Sequence, residues 1–212
     1  MRFDLPPALD GVTRRRFLQI GGTVTLGAVI TACLGDGGSE TAREDTGGAE
    51  GRRTDVTITR TFASLEELAV AVYRAALGSG LLATSAVIDL ANLFESHHRE
   101  HAALFRGATR DLRGEPFSEP NPVVMEQLRP RIDGLGDEAA VITLAFDVET
   151  VLTETYQATV GAFGDKSFNV ASMSVGGAEA SHAAALAQVV RQPPAPLAFQ
   201  GTQQAVPAGT GV

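Results

Sequence analysis

Cysteine is almost missing from this chain, with one, Cys33, among 212 residues. No intramolecular disulfide can form, and a cysteine-based zinc cluster, which needs several thiolates, is excluded. Tryptophan is absent and only 6% of the residues are aromatic. Alternation of β-branched residues is scarce after residue 60, whereas alanine is abundant. That balance favours helices packed on helices over a sheet. The formal net charge is −8, and no basic patch interleaved with aromatics occurs, which argues against nucleic acid as a partner. An acidic surface suits a soluble protein and also attracts cations. The length fits one domain with a real core rather than two.

Histidine is scarce as well, and its four copies are not scattered. His97, His98 and His101 share the stretch ESHHREHAALF, and His182 sits in EASHAAAL, which ends almost the same way.

The first fifty residues or so read as an address. Arg14 and Arg15, followed by Phe17 and Leu18, match the twin-arginine export pattern. Residues 20–32 form an apolar run of about 13 residues, shorter than the ~20 a helix needs to cross a bilayer and typical of a signal peptide. Ile30-Thr31-Ala32-Cys33 resembles a bacterial lipobox, in which the cysteine is lipidated and becomes the mature N-terminus. Lipidation accounts for the lone cysteine; cleavage without lipid and a buried core cysteine are the alternatives. Residues 1–33 are therefore expected to be a signal peptide with a lipobox, and residues 34–56 a flexible linker rich in Gly, Ser, Thr and charge. Loss of residues 1–32, with four Arg and two Asp, takes the formal charge to −10.

The remaining chain is expected to be all-α, a four-helix bundle over residues 57–196 followed by an irregular tail over 197–212. Ser64-Leu65-Glu66-Glu67 has the form of a capping box, which predicts a first helix from Ser64 to about Leu77. A second helix is predicted over residues 81–112, ended by the Pro- and Gly-rich RGEPFSEPNP, with a short helical turn in VVMEQLRPRI. The third is predicted over residues 137–163 and the fourth over 167–191, loosened locally at Gly176-Gly177 and stopped by QPPAP.

Two helix pairs repeat one pattern. LEELAVAVYRAAL matches VETVLTETYQATV, and each holds a Glu seven residues before one of the chain's two tyrosines: Glu66 and Tyr73, Glu149 and Tyr156. HREHAALF matches EASHAAAL, with 35 residues from Glu66 to His101 and 33 from Glu149 to His182. Seven residues is nearly two helical turns, so each Glu shares a face with its Tyr. Three residues is just under one turn, so Glu179 neighbours His182 and His98 neighbours His101. These polar groups interrupt apolar faces that must form a core, where carboxylates are costly unless paired. Bound cations are the natural partner for carboxylates and imidazoles that meet at one point.

The arrangement of one Glu from each of two helices plus Glu-x-x-His from each of the other two resembles the ferritin-like di-iron site. The Glu-x6-Tyr elements are similar to those of the rubrerythrin-related branch. EHAALF and EASHAAAL resemble the exported bacterial ferritin-like domain proteins, sometimes described as desiccation-related. The resemblance implies metal ligation by Glu66, His101, Glu149, Glu179 and His182, with Tyr73 and Tyr156 orienting carboxylates. His98 stands where the family has Glu, and is the sixth candidate ligand. Glu95 lies a further turn away, about 120° round the helix from His101, and is no substitute. Three glutamates leave one positive charge over with two divalent ions. The implied cofactor is iron, as two ions or one, with Mn or Zn also compatible with the ligand types. His97, Glu95, Glu100, Glu67 and Glu154 are expected at the surface. The functions implied are a membrane-anchored metal-binding protein with oxygen- or peroxide-linked redox activity, compatible with a homodimer, or a metal-free envelope module that keeps the bundle.

Overall fold

The computed structural model describes residues 46–212. The export motif at Arg14 and Arg15, the apolar run over residues 20–32, Cys33 and the linker as far as residue 45 lie outside the described residues. Among the described residues there are five helices and no strand: α1 (Thr46–Gly78), α2 (Ser85–Asp111), α3 (Pro122–Asp133), α4 (Glu138–Ala158) and α5 (Lys166–Val189). None is long and apolar enough to cross a membrane. The long helix α1 pairs with α2, α4 pairs with α5, and α1 meets α4 across the middle. This is the expected bundle of two helix pairs, with α3 as the added turn.

The start of α1 departs from expectation. It runs 33 residues from Thr46, so residues 46–56, expected as linker, are helical, and Ser64 is no N-cap. The polar look of TDVTITRT hides an inward stripe. Ile58 and Phe62 are buried, and threonine hydroxyls fold back onto the helix's own carbonyls: Thr57 on Arg53, Thr59 on Val56 and Thr61 on Thr57. Ser64 is fully buried; its hydroxyl donates to the Thr61 carbonyl and accepts from Asn121 Nδ2.

Where capping residues do mark helix starts, they sit later in the chain. Asn121 accepts from the Val124 N–H with Pro122 in the first turn, Asp137 accepts from Ala140 N–H, and Asp165 accepts from Ser167 N–H. Helix α4 ends at Ala158 rather than near Phe163, because Gly161 with φ of 78° turns the chain and Phe163 folds back into the core. The tail beyond residue 200 has turns but no helix, and it is tied down. Glu154 and the Thr155 hydroxyl on α4 accept from the N–H groups of Gln204 and Val206, Thr61 accepts from Gly209 N–H, and Asn121 donates to the Thr210 carbonyl. Glu154, expected at the surface, is therefore buried at 6% exposure because it holds tail backbone.

Two apolar clusters flank the middle of the bundle. One gathers Phe62, Phe105, Leu144, Leu152, Tyr156 and Phe163. The other gathers Tyr73, Val87, Phe94, Ile142 and Leu186. Each contains one of the two tyrosines.

Gly176 and Gly177 do not interrupt α5, which passes through both. Gly176 lets the helices close: a Cβ there would stand 2.8 Å from Tyr156 Cβ on α4, whereas one at Gly177 meets nothing within 4 Å. Gly176→Ala is expected to destabilise the fold by about 1–3 kcal/mol through overpacking. Gly177→Ala is expected to stabilise it by up to about 1 kcal/mol through helix propensity. Urea denaturation of the two variants checks this; equal effects would show that α4 and α5 do not meet at Gly176.

Candidate metal centre

The pattern of apolar faces interrupted by Glu and His brings all six predicted ligands to one place between the two apolar clusters. Glu66 comes from α1, His98 and His101 from α2, Glu149 from α4, and Glu179 and His182 from α5. Glu66, His98, Glu149 and Glu179 have no exposed surface at all, and His182 is 3% exposed. His101 is the outermost, its side chain 15% exposed.

The groups form two overlapping sets of four. Glu66, His98, His101 and Glu179 make one, and His98, Glu149, Glu179 and His182 make the other, with the ligand atoms of each set all within 4.8 Å of one another. Two residues belong to both sets. His98 presents Nδ1 to Glu66 Oε2 at 2.8 Å and Nε2 to Glu149 Oε1 at 3.1 Å. Glu179 presents Oε1 to His101 Nδ1 at 2.8 Å and Oε2 to His182 Nδ1 at 3.3 Å. The residue that departs from the Glu-x-x-His pattern thus sits at the centre of the site, between its two halves.

Both tyrosines point inward, and their hydrogen bonds cross the bundle. Tyr73 donates to Glu149 Oε1 and Tyr156 donates to Glu66 Oε1, each at 2.5 Å. Neither tyrosine bonds the glutamate seven residues before it on its own helix. Each repeat therefore orients the other's carboxylate.

Electrostatics follow from burial set against close partners. Burial alone pushes Glu66 and Glu149 upward, but neighbouring imidazoles outweigh it: His101 and His98 hold Glu66 below the usual carboxylate range, and His98 and His182 hold Glu149 well below it. Glu179 goes the other way, raised to about 7 by burial and by the charges of Glu66 and Glu149. Burial pulls the histidines down, yet carboxylates win: Glu149 and Glu179 raise His98 well above its ordinary range, and His101 and His182 each rise to about 9. Burial, and then Glu149 or Glu66, raise Tyr73 and Tyr156 well above the ordinary phenol range, so both stay protonated donors.

The donor set fits a metal ion. Among the described residues, the buried side-chain polar atoms without a hydrogen-bond partner are His101 Nδ1, Glu149 Oε2, Glu179 Oε1 and Thr153 Oγ1. The first three belong to the ligand cluster; His101 Nδ1 and Glu179 Oε1 are close but not aligned for a hydrogen bond. Buried polar atoms are seldom left unmatched. Imidazole nitrogens and carboxylate oxygens gathered this closely suit a divalent first-row cation.

His97 was expected to be solvated at the surface. It is half-buried instead, with Nδ1 at 3.0 Å from His182 Nε2. Its place four residues before His101 was the available signal, since that spacing puts both on one side of α2. Glu95 and Glu67 are half-buried as well, paired with Arg74 and Arg106, and Glu100 is exposed.

In metal-free protein the signs of these shifts set a pH profile. Stability from His101 and His182 is fully present below about pH 6.5 and is lost as pH rises through about 9. Glu179, raised to about 7, favours the fold while protonated and loses that contribution between about 4.5 and 7. Glu66 and Glu149, both lowered, contribute above about 4.5 and lose it on acidification. Stability of chelator-treated protein is expected to be greatest at roughly pH 5–6 and to fall towards pH 9. Denaturant midpoints across that range measure it, and a midpoint that rises between pH 7 and 9 contradicts the assignment.

No curated protein and no solved structure matches the chain. Residues 54–192, well over half of its length, match the ferritin-like domain family. The matched span covers almost all of the helical bundle and every residue of the buried cluster. The chain belongs to the ferritin-like domain family.

Proposed function

We propose that this protein binds divalent metal, iron foremost, in the centre of its bundle, and that the site serves oxygen- or peroxide-linked redox chemistry. The observation that carries the reading is the pair of buried sets, Glu66-His98-His101-Glu179 and His98-Glu149-Glu179-His182, with unmatched donor atoms inside them. Bound iron would supply one-electron chemistry with oxygen or peroxide. The protein's part is to hold the ligands. Tyr156 and Tyr73 fix one oxygen each of Glu66 and Glu149, which leaves the second oxygen facing the site. Glu179 reaches both halves through its two oxygens, and His101 and His182 offer Nδ1 from the two halves. Phe94, packed on His182 with ring centres 4.1 Å apart, and the two apolar clusters exclude water around them.

A second reading, a metal-free envelope module, has its own support in His98. Its two ring nitrogens span Glu66 and Glu149, so a protonated imidazole joins those carboxylates without any ion. Three carboxylates facing three buried or half-buried imidazoles close the charge unaided.

Elemental analysis separates the two. Wild-type protein folded in the cytoplasm is expected to hold at least one equivalent of iron, manganese or zinc, and His101→Ala combined with His182→Ala to lose it. Saturation is expected to stabilise wild type by about 2.7 kcal/mol at a hundredfold excess over Kd. Wild type without stoichiometric metal would leave the metal-free module as the answer.

The proposed location is the outer side of the cytoplasmic membrane, reached by twin-arginine export and kept by lipid on Cys33. It is supported by Arg14, Arg15 and the lipobox-like residues 30–33. Replacing Arg14 and Arg15 with Lys is expected to abolish export, and Cys33→Ala to abolish labelling by a lipid precursor. Export undiminished in the first variant, or labelling retained in the second, counts against the corresponding step.

A further inference from the structure

His97 lies outside both four-residue sets, yet it touches a member of one of them. The contact is between ring edges. Nδ1 of His97 and Nε2 of His182 are 3.0 Å apart, the ring centres are 5.2 Å apart and the planes differ by 19°. The centre-to-centre distance is close to the N···N distance plus the two ring radii. The nitrogens therefore point at each other along the line joining the rings, as in an in-plane hydrogen bond.

The direction of that one bond decides what His182 can do. Its other nitrogen, Nδ1, faces Glu179 Oε2 at 3.3 Å and Glu149 Oε2 at 3.4 Å. An imidazole that binds metal through Nδ1 must carry its proton on Nε2, and that proton needs an acceptor. The group that faces Nε2 here is another histidine rather than a carboxylate or a backbone carbonyl. Were His97 the donor, the proton of neutral His182 would sit on Nδ1, aimed at the carboxylates, and no lone pair would face the site.

We infer that His97 is a positioning residue for the metal centre: its Nδ1 accepts the Nε2–H of His182 and turns the Nδ1 lone pair of His182 towards Glu149 and Glu179. The inference rests on the metal-binding reading above. Phe94 packs against the face of His182 and limits the other orientations of that ring.

Nitrogen NMR of the histidine rings tests the bond without metal. Chelator-treated wild type at about pH 10, where His182 is neutral, is expected to show His97 bare at Nδ1 and protonated at Nε2, with His182 protonated at Nε2 and bare at Nδ1. A proton on Nδ1 of His97 overturns the inference whether or not the protein binds metal. Titration with Co(II), followed by its visible spectrum, tests the consequence. His97→Phe, which keeps a flat ring but no acceptor, is expected to weaken binding roughly 10- to 100-fold. His97→Asn, whose side-chain oxygen reaches about where Nδ1 stood, is expected to restore most of the affinity. In a His182→Ala background, His97→Phe is expected to change nothing further. Equal losses in the Phe and Asn variants, or an undiminished His97→Phe effect without His182, overturn it. Wild type that takes up no Co(II) sinks the metal-binding reading, and the ring-proton pattern then decides the role of His97 alone.

Discussion

Three carboxylates and two imidazoles that water cannot reach, with His101 at their edge, meet at the centre of an apolar bundle. A buried, unpaired charge is among the most costly features a fold can contain, and removing one partner of a buried set costs more than removing the set. The rest of the structure can be understood as what makes that cluster tolerable. Four helices each bring a glutamate, a histidine or both, so carboxylates and imidazoles lie side by side. Aromatic clusters close the space on either side. Each tyrosine donates to one oxygen of the other repeat's glutamate. Pairing is incomplete even so, and unmatched polar atoms remain inside the cluster.

The duplication gives the site its approximate symmetry, and His98 breaks it. Glu66 and Glu149 are equivalent, as are Tyr73 and Tyr156, and His101 and His182. Glu179 and His98 are the corresponding residues three positions before the histidines, one an anion and the other an imidazole. Both ended up shared between the two halves. A carboxylate at position 98 would have placed four negative groups in one buried space and made two divalent ions almost obligatory. An imidazole lowers that demand and lets the cluster hold together by its own hydrogen bonds. The same substitution therefore supports metal binding with a different charge balance and makes a metal-free state bearable.

Much of this was legible in the chain. The helix pairs, their order and all six clustered residues follow from polar residues recurring at helical spacing in apolar stretches. Less legible features depend on neighbours distant in sequence. Ser64 has a capping residue's identity and spacing, but Asn121 occupies its hydroxyl and the helix runs on upstream. Glu154 looks solvated until the tail lays its backbone N–H against it. Gly176 looks like a weak point and is instead a place of close approach between α4 and α5.

Spacing along a helix is a covalent property, so the sequence by itself determined which residues share a face: Glu66 with Tyr73, Glu179 with His182, His98 with His101. It also determined that those faces, being otherwise apolar, had to turn inward together. Which group on one helix meets which on another depends on how the helices pack, and only the tertiary structure decided that. Tyr73 serves Glu149 and not Glu66, His98 stands between the two halves, and His97 meets His182 from 85 residues away. Hydrogen bonds act over about 3 Å. Distances that short are set by helix packing, and no pattern along a single helix contains them.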